Sequence, residues 1–260
     1  MSYSSNETVQ LITNEPSPIF PLILNKTNTI FVGPTMAGKT VFVRMLLNNI
    51  DQFFGGDNSN DTTGYQIPAI YVFTAPQSSQ QWSERTLKIN NTLLKIPSNI
   101  NLIVETKLEN IISELNSGNF ERGSIVILDD IIAHLGNKLF VKALINHMAV
   151  NAHHRDLYNL VLVQEFFGKG KEMVEFRRQI HNYVLFKQNS RATKDVLSNI
   201  TRETQLAEQV FSIATSQPQR PLCIMETRPD KEMLCYAGTE GLITLAVKEG
   251  TTIKLTPVHL

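Results

Sequence analysis

The sequence predicts an α/β fold: a central, mainly parallel sheet flanked by helices, with a β-hairpin extension at its C-terminal end. Three observations predict it. Short apolar runs bounded by polar turns alternate with helical stretches through most of the 260 residues, the pattern of a parallel sheet covered on both faces. One such run leads straight into a glycine loop and an amphipathic helix. Another, Ile125-Val126-Ile127-Leu128, ends in two carboxylates, Asp129 and Asp130.

The first of these stretches organises the chain. Thr29–Val32 reads as a buried strand. It meets Gly33-Pro34-Thr35-Met36-Ala37-Gly38-Lys39-Thr40, which fits G-x-x-x-x-G-K-[ST] at every specified position. Val43, Leu46, Leu47 and Ile50 then space one buried face of a helix. A chance match arises in about one in a hundred chains of this length, and the flanking strand and helix make accident rarer. Gly33 and Gly38 let the backbone turn tightly and bring its N–H groups against phosphate, where the helix N-terminus adds partial positive charge. Lys39 suits the β/γ-phosphates as a point charge, and the Thr40 hydroxyl suits Mg²⁺. The motif therefore predicts a nucleotide and Mg²⁺ as the ligands of this loop, and the resemblance given below implies that the nucleotide is ATP.

Composition bounds the rest. Apolar residues make up 42% of the chain, enough for a substantial core. Lys+Arg and Asp+Glu are both 24, so the molecule as a whole carries no bias toward a nucleic acid. No run approaches the length of a membrane span, and the opening Met1–Glu7 lacks the basic and apolar regions of a signal peptide. The two cysteines, Cys223 and Cys235, lie on neighbouring expected strands and read as free thiols in a reducing compartment.

Taken in order, a polar segment punctuated by Pro16, Pro18 and Pro21 forms an entry arm. Residues 55–64 read as a surface loop. Strands are expected at Ala69–Thr74 and Asn101–Val104, with a helical stretch around Gln80–Leu94 between them and a short helix at Leu108–Leu115 after them. A helix from Asn137 to Val150 leads to the strand Leu160–Gln164. Further strands follow at Tyr183–Phe186, Leu222–Met225 and Met233–Tyr236, with helical stretches at Asp195–Ile200 and Leu206–Ile213.

Asp129-Asp130 is the second chemical landmark, because ligands of open α/β sheets gather at the carboxyl ends of the strands. Asp129 suits the magnesium side, and Asp130 suits orienting or deprotonating an attacking water. The plain alternative, an aspartate capping the next helix, loses ground once a phosphate loop precedes it. Gln164 is polar at the end of an apolar strand, where it senses a γ-phosphate or is satisfied by neighbouring backbone. His147, His153 and His154 come without cysteine or H-E-x-x-H partners and read as surface or capping residues. Between Lys169 and Lys194 stand Lys169, Lys171, Arg177, Arg178, Lys187, Arg191 and Lys194 against only Glu172 and Glu175. Such a run is either a solvated face or a surface for DNA or a neighbouring subunit's nucleotide.

The order of motifs resembles the poxvirus-type genome-packaging ATPases of the FtsK–HerA superfamily, found also in virophages, adintoviruses and Polinton-like elements. The likeness rests on the phosphate loop, Asp129-Asp130, the paired His153-His154, Gln164 with Phe166-Phe167 after it, and Tyr183-Val184-Leu185-Phe186-Lys187-Gln188-Asn189-Ser190-Arg191. It spans about Ile30 to Tyr236. The resemblance implies a RecA-like P-loop NTPase core in a homo-oligomeric ring, pentameric or hexameric. It implies pumping of double-stranded DNA into a capsid with a capsid or portal partner, inside the host cell where virions assemble, in cytoplasm or nucleus, and no membrane. Read from the residues, the chain divides into an N-terminal arm (1–28), an ATPase domain (29–240) and a C-terminal β extension (241–260). By the resemblance, Lys39 and Thr40 serve phosphate and magnesium, Asp129 is the second metal-side acid, and Gln164 is the sensor. Many members carry glutamate where this chain has Asp130. Arg191 sits where they carry an arginine after the Phe-Lys strand, with Arg177 and Arg178 as rivals.

Three functions compete at this point: a DNA-translocating packaging motor, a nucleotide-dependent assembly factor that does not translocate, and a small-molecule kinase. The kinase needs an arginine-rich lid, and no obvious one is visible in the sequence.

Overall fold

The computed structural model describes residues 8–11, 28–50, 67–89, 92–164, 171–200, 208, 211–212, 215, 222–228, 231–238, 241–249 and 252–259. The loop expected at 55–64, Phe166-Phe167, Lys169 and most of the helix expected at Leu206–Ile213 lie outside the described residues.

In chain order the strands are β1 (Thr8–Leu11), β2 (Asn28–Val32), β3 (Ala69–Thr74), β4 (Thr86–Ile89), β5 (Thr92–Lys95), β6 (Asn101–Glu105), β7 (Ile125–Asp129), β8 (Tyr158–Val163), β9 (Asn182–Leu185), β10 (Leu222–Arg228), β11 (Lys231–Gly238), β12 (Gly241–Glu249) and β13 (Thr252–His259). The main sheet runs β1-β13-β12-β11-β10-β9-β2-β8-β7-β3-β6. From β9 to β6 all neighbours are parallel. From β9 through β13 the pairing is antiparallel, and β1 adds to β13 in parallel. The C-terminal hairpin β12–β13 is thus built into the same sheet. Cys223 and Cys235 stand directly opposite each other in the β10–β11 register.

The parallel strands are apolar on both faces because both faces are covered. Ile30, Val32, Tyr71, Phe73, Val126, Leu128, Val161 and Val163 point to one side. There they meet α2 (Leu108–Ser117), α3 (Lys138–Asn146), α4 (Lys171–Arg178) and α5 (Ser190–Ile200) through residues such as Leu115, Phe140, Phe176 and Leu197. Their sequence neighbours Phe31, Ile70, Val72, Ile125, Ile127, Leu160 and Leu162 point to the other side. That face is covered by α1 (Lys39–Asn48), with Phe42, Val43, Leu46 and Leu47 inward, and by Trp82. The two-residue period of a strand separates the two cores.

Two expectations are corrected. The stretch Gln80–Leu94 is not one helix. Only Gln80–Ser83 is helical, and β4 and β5 follow as an antiparallel pair apart from the main sheet. Thr86, Leu87, Lys88 and Ile89 alternate between exposed and half-buried, and β-branched Thr86, Ile89 and Thr92 favour a pleated ribbon over a helix. Arg85 closes its base, donating to Pro97 O at 2.7 Å and Ile100 O at 2.9 Å.

His147 is not on the surface. It begins a π-helical turn, His147–Asn151, that continues α3, and its side chain is fully buried. With Phe140 and Leu144 it shares one helix face, at spacings of four and three. Its ring lies 4.8 Å from that of Phe120, and Nε2 meets Asn159 Oδ1 at 3.0 Å. Asn159 in turn donates to Asn28 Oδ1 at 2.7 Å, and Asn28 donates to Met148 O and Gln179 O at 3.1 and 2.7 Å. This buried polar network ties the starts of β2 and β8 to the helices behind them. Burial holds the His147 imidazole down to about 4, with the Asn159 hydrogen bond opposing.

Candidate nucleotide-binding site

The loop joining β2 to α1 lies at the carboxyl end of the parallel strands. Gly33 has to be glycine here: a Cβ would come within 2.7 Å of Phe186 Cβ and 3.3 Å of Ala37 Cβ. The loop is pinned at that point, with Gly33 N donating to Val163 O at 3.2 Å. Gly38, at φ 95°, makes the left-handed turn that starts α1. Pro34, Thr35 and Met36 are exposed above it. Lys39 Nζ donates to Gly33 O at 2.6 Å and to Pro34 O at 2.9 Å, which holds the ammonium at the loop. Burial lowers the Lys39 pKa, and the charges of Asp129 and Asp130 work against that.

Asp129 ends β7, with β8 standing between it and the loop's strand. It is buried, yet it reaches across: Thr40 Oγ1 donates to Asp129 Oδ2 at 3.1 Å. Two further donors reach the same oxygen, Trp82 Nε1 at 2.8 Å and Gln81 Nε2 at 3.5 Å. Burial pushes the Asp129 carboxyl up, the hydrogen bonds from Trp82 and Thr40 pull it back, the Asp130 charge raises it and Lys39 lowers it. Asp130 follows in left-handed backbone, φ 56°, and accepts from Ser78 Oγ at 3.1 Å. Gln164, just past β8, stands between loop and acids by strand order.

Thr35, Met36, Ala37, Gly38, Lys39, Thr40, Asp129, Asp130 and Gln164 therefore line one cleft of about 450 Å³, together with Val41, Ser78, Gln81 and Leu162. Three segments distant in sequence converge on this cleft. The donors beside Lys39 are a hydroxyl and a carboxylate. That hard oxygen set suits Mg²⁺, which is held by one or two carboxylates plus phosphate oxygens. Thr40 and Asp129 are the residues that would hold it.

The arginines lie elsewhere. Arg191 lies in the first turn of α5, is exposed, and lines a separate cavity of about 760 Å³ with Lys187, Lys194 and Phe211. Arg177 and Arg178 occupy the last turn of α4. None of the three lines the loop cleft.

Sequence reasoning missed Ser78, Gln81, Trp82 and Arg44. The first three come from the 3₁₀ turn Pro76–Ser78 and the short helix Gln80–Ser83 that follow β3. One signal was present: a single tryptophan in the chain, whose N–H needs a partner when buried. Arg44, buried in α1, lies with its guanidinium carbon 5.7 Å from the Trp82 ring centroid and donates to Glu84 O.

The fold and the loop are those of the P-loop NTPases. No family model matches the chain, and no curated protein matches it in sequence. Among solved structures, the genome packaging NTPase B204 from Sulfolobus turreted icosahedral virus 2, in complex with sulfate, is similar at a TM-score of 0.50 and 12% identity, over 80% of this chain and 94% of that chain. B204, the DNA-packaging ATPase from Sulfolobus turreted icosahedral virus, is similar at a TM-score of 0.50 and 12% identity, over 81% of this chain and 97% of that one. At such identity the likeness is one of fold. No helix among the described residues is long and apolar enough to cross a membrane.

Proposed function

We propose that the chain is an ATP hydrolase that drives double-stranded DNA into a capsid, working as a homo-oligomeric ring beside a capsid or portal protein. The observation that carries the hydrolase is the 3.1 Å hydrogen bond from Thr40 to Asp129, which sets the phosphate loop against the acidic strand end in one cleft. The packaging role is supported by the motif order around Asp129-Asp130, Gln164 and Arg191, and by the packaging proteins among the structures of like fold.

In this scheme the loop N–H groups and Lys39 bind the β/γ-phosphates. Thr40 and Asp129 would hold Mg²⁺, which would supply positive charge to the phosphates. Asp130, oriented by Ser78, takes a proton from the attacking water, and Gln164 positions that water. An arginine from the adjacent subunit, Arg191 first, completes the transition-state charge.

The ATPase rate of the purified chain, with and without double-stranded DNA, tests the proposal. Stimulation by DNA is expected. A DNA-independent rate overturns the packaging role, and negligible turnover overturns the hydrolase in favour of an assembly factor.

A further inference from the structure

Trp82 is fully buried, and its N–H is spent on one atom, Asp129 Oδ2, at 2.8 Å. Thr40 and Gln81 donate to that same oxygen. A carboxylate with three donors on one oxygen has its plane set. The indole is itself wedged: α1 presents Thr40 to Asp129 and, four residues later on the same face, Arg44 to the indole ring. Arg44 Nη2 also ties down Glu84 O, just past the helix that carries Trp82. Packing alone calls for an apolar ring and not for an N–H, which when buried has to be given a partner.

We propose that Trp82 is a positioning residue for the metal-side carboxylate: its indole N–H occupies Asp129 Oδ2 and thereby offers Oδ1 to the divalent cation of a nucleoside di- or triphosphate. The inference rests on the nucleotide reading of the cleft given above. Ligating carboxylates are held by outer partners of this kind, and losing one costs 10–100-fold in metal affinity or activity.

The test reads metal, not turnover. Trp82→Phe removes the N–H. β-(3-benzothienyl)alanine at position 82 removes it while keeping the shape of the indole, so a folding failure of the first variant does not end the test. Mn²⁺ affinity of the protein–ADP complex, followed by electron paramagnetic resonance, should fall about 10–100-fold, with ADP affinity in the absence of metal unchanged. A folded variant with wild-type Mn²⁺ affinity overturns the inference, since a merely structural indole leaves that quantity alone. The wild-type chain separates this failure from a deeper one. Labelled with 5-fluorotryptophan it has one tryptophan ¹⁹F resonance, which Mn²⁺·ADP should broaden. Broadening with unchanged Mn²⁺ affinity in the variant overturns the positioning role alone. ADP binding without broadening places the metal away from Asp129 and overturns the site assignment as well.

Discussion

Ser78 Oγ donates to Asp130 Oδ2 at 3.1 Å, and the aspartate it holds stands in left-handed backbone at φ 56°. Aspartate and asparagine enter that region at little cost because their short polar side chains bond locally. Asp130→Asn therefore keeps the backbone and removes only the charge. The variant should bind MgATP and turn it over at least about a hundredfold more slowly, the scale of general-base loss. Equilibrium nucleotide binding and steady-state turnover check this. Loss of binding instead moves Asp130 to the metal side.

Gly33→Ala places a methyl 2.7 Å from Phe186 Cβ, which is attached to backbone and has no room to swing away. Overpacking of this kind costs about 1–3 kcal/mol. It also disturbs the Gly33 N to Val163 O bond that pins the loop. Urea unfolding should show the loss, and nucleotide affinity should fall with it. Wild-type values for both would contradict the close approach.

His147 makes stability depend on pH. Its folded pKa is about 4, against an ordinary 6.5, so the buried ring stays neutral while the unfolded chain takes up a proton below pH 6.5. The contribution is zero above that value, grows as pH falls from 6.5 toward 4, and is constant below. Its full size is on the order of 3 kcal/mol of destabilisation. Denaturant melts between pH 7 and 4 should show a downward slope that flattens in His147→Leu. An unchanged slope in that variant would contradict the assignment.

How much of this was legible in the sequence follows from range. The loop Gly33–Thr40 and the helix after it were legible because their constraints are local: two glycines, one lysine and a helical apolar period. β3, β7 and β8 were legible as apolar runs, because strands covered on both faces cannot be anything else for long. Trp82 was not, since its partner lies 47 residues away and spacing within the segment says nothing of Asp129. The ribbon β4–β5 was masked by apolar residues that fit a helix and a ribbon alike, and only the alternation from Thr86 to Ile89 and the β-branched Thr86, Ile89 and Thr92 favoured the ribbon. His147 was legible in principle, from its face shared with Phe140 and Leu144. Residue type alone, without that face, points a histidine to the surface.

Arg191 is exposed and does not line the loop cleft, as a residue serving a neighbouring subunit would be. An arginine delivered this way is worth 10³–10⁵ in rate. Mixing inactive Lys39→Ala with inactive Arg191→Ala should restore part of the ATPase activity, because some interfaces then pair an intact loop with an intact arginine. Full activity of Arg191→Ala alone would contradict the assignment and send the same test to Arg178 and Arg177.

The central claim is that hydrolysis in the Lys39–Asp129 cleft moves double-stranded DNA. Triplex displacement measures that motion directly: a third strand bound to linear duplex is released when a motor runs through it. The wild-type chain with ATP and Mg²⁺ should release the strand, and Lys39→Ala should leave it bound under identical conditions. An ATPase that turns over in the presence of the duplex while the triplex stays intact would contradict the claim.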